Sequence, residues 1–120
     1  MIRLLAIVTF LPSLALANSY KEAIDDATES LEDAASAANR KGSPTCKGVM
    51  SALNRAVDDL ESIRHGTTER RVNELLVNVS QSQVDSQRFG CPQKVTDRIA
   101  SAVASMNSAR AMLDKDDRRD

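Results

Sequence analysis

The apolar residues of this chain recur in alternating steps of four and three, and that spacing restricts its fold more than any other feature. One run reads Tyr20, Ile24, Ala27, Leu31, Ala34, Ala38; another reads Cys46, Val49, Leu53, Ala56, Leu60, Ile63; a last one reads Val95, Ile99, Ala102, Met106, Ala109, Leu113. A period of about 3.5 residues held over three heptads is the seam of helices that cross at about 20°, as in coiled coils and helical bundles. Strands would need an apolar period of two.

Glycine and proline punctuate these runs. Gly42, Gly66 and Gly90 fall between them, and Pro44 and Pro92 each follow a glycine by two residues, which is the order of a helix stop and a helix start. Ser43 before Pro44, Thr67 before Thr68 and Cys91 before Pro92 occupy cap positions, and Ser19 with Glu22 forms an S-x-x-E capping box. The segments are 19–41, 44–65, 68–89 and 92–115, each of about 22 residues and so about 33 Å long. The expected fold is all-α: a small antiparallel bundle of four amphipathic helices with one disulfide.

That disulfide pairs Cys46 with Cys91, the two cysteines of the chain, as an even pair does in an oxidising compartment. No C-x-x-C spacing suggests a redox or metal pair. Short loops make successive helices antiparallel, so the second and fourth run in one direction and both cysteines lie at one end. In an up-down bundle those two helices are diagonal, whereas a disulfide needs Cα atoms within about 7 Å. Either a regular four-helix bundle or a tight triple of helices two to four, with helix one packed outside, remains open at this point. Alanine at alternate seam positions leaves little volume for a haem or flavin, and no cofactor is expected.

The start of the chain has its own logic. Arg3, the apolar run Leu4 to Leu11, Pro12 and the small-residue end Ala15-Leu16-Ala17 form a secretory signal peptide cleaved after Ala17. Its apolar stretch is shorter than the roughly 20 residues that span a bilayer, so no membrane span is expected. The domain reading is 1–17 signal peptide, 18–115 helical bundle and 116–120 a disordered charged tail, with a location that is extracellular, or periplasmic in a bacterium.

The third segment departs from the seam. It begins with Val72, Leu75, Leu76 and Val79 and then becomes Ser80-Gln81-Ser82-Gln83-Val84-Asp85-Ser86-Gln87-Arg88-Phe89. Gln83 and Ser86 take the next seam positions, while Val79, Val84 and Phe89 are five apart and rotate off one face at about 100° per residue. Here the helix should bend, fray or present something. Asn78-Val79-Ser80 also matches the N-glycosylation sequon.

Charge sets the remaining limits. Lys plus Arg number 16 against 17 Asp plus Glu, so the basic excess that nucleic acid requires is missing. Aromatic residues make up 2% of the chain and offer no stacking platform for bases. The single histidine, His65, precedes Gly66 and suits a helix C-terminus better than a metal site or a catalytic triad. No G-x-S-x-G or phosphate loop is present, and an enzyme is not expected. The first segment carries Glu22, Asp25, Asp26, Glu29, Glu32 and Asp33 for a net charge of −3, whereas residues 44–113 carry +2. Two candidate protein-binding surfaces follow: the acidic stripe Asp25, Asp26, Glu29, Glu32 and Asp33, and the polar patch Gln81, Gln83, Gln87 and Arg88.

Pro44-Thr45-Cys46 leading one helix and Cys91 leading another resembles the periplasmic acid-stress chaperones over about half the chain, although Ser and Pro stand where that family has a Trp. The residues point most directly to a secreted, non-enzymatic binding protein acting on a protein partner as inhibitor, immunity protein or recognition module, with a homodimer compatible. The alternatives are an acid-responsive chaperone whose first helix detaches, as the resemblance implies, and a carrier of a small hydrophobic ligand lined by Leu75, Val79, Val84, Phe89 and Met106.

Overall fold

The structure, a computed structural model, describes residues 12–41 and 44–119, and the side chains of 19–40 and 44–113. Four helices account for nearly all of it: α1 Pro12–Lys41, α2 Pro44–Ser62, α3 Glu69–Arg88 and α4 Gln93–Arg119. Residues 1–11, most of the expected signal peptide, lie outside the described residues; its last residues, 12–17, form the start of α1. At the other end α4 runs on to Arg119, through the segment expected to be a disordered tail. No Gly or Pro interrupts 114–119, so nothing local to the sequence stops the helix earlier.

The turns follow the predicted punctuation to within a few residues. α2 ends at Ser62 and not at His65, because Ile63 N–H donates to the Leu60 carbonyl and Gly66 N–H to the Ile63 carbonyl, tightening the chain into a turn that Gly66 completes at φ 130°. Thr68, one residue later than predicted, caps α3 and accepts from Arg71 N–H. α3 closes in a Schellman motif: Cys91 N–H donates to the Ser86 carbonyl, Gly90 N–H donates to the Gln87 carbonyl, and Gly90 takes φ 70°. That motif fixes where Cys91 points.

α1 packs along both α2 and α4, and α3 closes the ring against α4 and α2; the diagonal pairs do not touch as helices. This is the regular four-helix arrangement, and α1 is a full member of it, not an outer strut. The diagonal is crossed because Cys91 belongs to the α3–α4 turn and not to α4, which brings its Cα within 5.1 Å of that of Cys46. Thr45 Oγ1 donates to the Phe89 carbonyl at the same end.

Having two neighbours requires a wide buried stripe, and α1 has one. Beyond the predicted Tyr20, Ile24, Ala27, Leu31, Ala34 and Ala38, it also buries Ala23, Ser30, Ala35 and Ala37. The other seams are buried as read, apart from Leu113, which is partly exposed. Of the three outcomes expected for α3, fraying does not occur: the helix runs unbroken to Arg88. Ser82 and Ser86 take the seam in its second half and are buried, while Gln83 is only half-buried. A serine fits there because its small side chain satisfies itself locally. Ser82 Oγ donates to the Asn78 carbonyl, and Ser86 Oγ lies 2.7 Å from the Gln83 carbonyl and 2.8 Å from Thr96 Oγ1 across in α4.

Candidate functional site

The acidic stripe is divided by its own neighbours. Asp25 accepts from Arg64 at the end of α2 at 3.1 Å, and Asp33 accepts from Arg98 of α4 at 2.7 Å. Both arginines lie against the flanks of α1 with their Nε–H groups buried and lacking an acceptor. These two carboxylates therefore lock α1 to the helices on either side. Asp26, Glu29 and Glu32 are exposed and form no ion pair among the described residues. The stripe of five reduces to three outward carboxylates, with no large apolar side chain exposed beside them.

The polar patch is likewise redistributed. Gln87 and Arg88 are exposed near the end of α3, Gln83 turns partly inward, and Gln81 donates to Asp85 at 3.0 Å. Gln81 sits on the crest of α3, between two grooves. One, of about 240 Å³, separates α3 from α2 and is charged, with Arg55, Asp59 and Asp85 on its walls and Asn78 of the sequon at its edge. The other, open and of about 660 Å³, runs between α3 and α4 and is lined by Leu76, Val77, Val84 and Val103, with Asn107 and Arg110 along its α4 side.

Sequence reasoning missed this second groove, and three observations make it the candidate site. First, among the described residues the large apolar side chains left exposed are Val77 (68%), Val84 (47%) and Phe89 (40%), all at α3 or its end, and two of them line the groove. Second, its α4 side carries a single charge: Val103, Asn107 and Arg110 line it, and from Ile99 to Leu113 Arg110 is the only charged residue of the helix. Third, Arg110 is held in place, donating to Asn73 Oδ1 at 3.0 Å. Depletion of charge around an apolar centre distinguishes a contact surface from a solvated one. The signal in the sequence was the spacing of Val77 and Val84, one heptad apart on the side of α3 opposite its seam.

The residues proposed for a carrier do not converge. Leu75, Val79 and Met106 are core side chains, whereas Val84 and Phe89 lie on the surface. His65 is exposed, and among the described residues no three His, Cys, Asp or Glu side chains gather as a metal set. No helix among the described residues is long and apolar enough to cross a membrane. Burial pushes the Tyr20 phenol up to about 12, and its hydroxyl donates to the Ile63 carbonyl at 2.7 Å. That bond ties the start of α1 to the end of α2 and is structural. No known protein family, characterised protein or solved structure matches this chain.

Proposed function

We propose that this protein is a secreted, non-enzymatic helical-bundle binding protein whose contact surface is the α3–α4 groove. The observation that carries the reading is the pairing of exposed Val77 and Val84 with an α4 wall whose one charge is Arg110. A solvated surface ordinarily mixes charges of both signs, as α2 does here with exposed Lys47, Arg55, Asp58 and Glu61, and does not present valines. The groove is open and shallow, which suits a macromolecular surface better than an enclosed small ligand. Secretion is supported by the leader-like start of the chain and by the Cys46–Cys91 disulfide, which persists in oxidising compartments.

Site-specific photocrosslinking in the native setting tests the surface. A crosslinker at Val77 should capture a protein chain, and one at Glu29 on the acidic face of α1 should not. Capture from Glu29 alone would move the contact to α1, and capture from neither position would end the reading.

A further inference from the structure

We infer that the occupant of the α3–α4 face is a second copy of this chain, related by a two-fold axis that passes beside Ser80 and Gln81. The inference rests on reading that face as the contact surface, and it follows from the register of α3 itself. The outward residues Asn73, Val77, Ser80, Gln81, Val84 and Arg88 are all exposed and keep heptad spacing. Val77 and Val84 stand symmetrically about Ser80 and Gln81, and Asn73 and Arg88 are symmetric about the same point. Antiparallel pairing of α3 with α3 of a second copy therefore sets Val77 opposite Val84, Ser80 opposite Gln81 and Asn73 opposite Arg88. Apolar meets apolar and polar meets polar, and the one approach of like charges is Arg88 toward Arg110 of the second copy, both at Asn73.

The rest of the surface supports the same choice. Among the described residues only α3 and its end expose large apolar side chains, so a second copy can cover Val77 and Val84 with apolar area only by offering its own α3. The contact is then isologous and closes at two subunits; a parallel two-fold pairing would also cover the valines but would set Arg88 directly against Arg88. The acidic residues Glu74 and Asp85 lie on the opposite flank, Glu74 paired with Arg71 and Asp85 in the groove toward α2. The Asn73 amide oxygen already accepts from Arg110 and has a second lone pair for Arg88 of the second copy. The matched stripe is about 22 Å long, at the small end of specific interfaces, so the dimer should be weak, with Kd on the order of 100 µM.

Sedimentation equilibrium of the mature chain tests this, with circular dichroism confirming that each variant keeps its helices. Wild type should dimerise as concentration rises, and Val77→Lys with Val84→Lys should raise Kd by roughly a hundredfold or more, because lysine then faces lysine. Val77→Glu with Val84→Lys should restore the dimer, since the antiparallel register sets opposite charges face to face. A monomer up to about 1 mM would overturn the second copy; a foreign protein crosslinked from Val77 would then leave the contact surface standing. A dimer that survives the double-lysine variant would overturn both. Failure of the opposite-charge variant to recover would overturn the antiparallel register.

Discussion

The two ends of the bundle are built differently. At the end where α1 begins and α2 finishes, the buried residues include Tyr20, Ile24, Leu60, Ile63, Val72 and Met106, and a phenol donates to a carbonyl of the turn that follows α2. At the opposite end they include Ala34, Ala38, Ser82, Ser86 and Thr96 beside Val49 and Val95, and a disulfide spans the diagonal. One end is held by large apolar side chains. The other has small and hydroxylated ones, and a covalent bond supplies what its packing does not.

Breaking the disulfide should have the largest effect. With the cysteines 45 residues apart in sequence, Cys46→Ser with Cys91→Ser should lose about 4 kcal/mol in the chain-entropy picture, measured by urea unfolding. Hydrogen exchange gives the sharper reading: protection should fall first in the second half of α3 and the first turns of α2, while α1 around Ile24 keeps its own. Equal loss at both ends would erase the contrast.

The next test exchanges the two kinds of packing. Leu60→Ala at the tyrosine end should cost about 2–5 kcal/mol, since it opens a cavity in a dry layer. Ser86→Ala at the disulfide end removes one oxygen and leaves the Thr96 hydroxyl short of a partner, and should cost only about 1 kcal/mol. Comparable costs in thermal melts would mean that the serine seam carries more of the fold than its chemistry suggests.

The smallest effect is a pH signature. Tyr20 is the only tyrosine and the chain has no tryptophan, so its phenolate absorbance is read without overlap. The fold favours the neutral phenol, with a pKa of about 12 against 10 unfolded. The corresponding stability is fully present below pH 10 and is lost as pH rises through 12. Tyr20→Phe should remove that alkaline loss and, at neutral pH, cost about 1 kcal/mol for the lost hydroxyl bond, the Ile63 carbonyl keeping Gly66 N–H as its donor. A phenolate titrating near 10 would show that this end is looser than its packing implies.

The helices, the seams of α1, α2 and α4 and the disulfide were legible because each depends on local spacing or on residue type alone. The continuity of α3 was not, because Ser82 and Ser86 read as polar although their hydroxyls bond within their own helix and across to Thr96. Their size, close to that of the alanines on facing seams, was the overlooked clue. The acidic stripe was read from sequence neighbours, whereas the partners of Asp25 and Asp33 lie 39 and 65 residues away. The α3–α4 groove needs two helices brought side by side, and only the exposed face of α3 could have hinted at it.

The Schellman turn that aims Cys91 at Cys46 also determines what a protease could detach. The covalent loop closed by this bond contains α2, α3 and the exposed Gly66 turn between them. A cut at that turn would leave every fragment tethered, and only a reductant would then release them. A cut between α1 and α2 falls outside the loop, so α1 alone would remain attached by packing and by its two arginine partners.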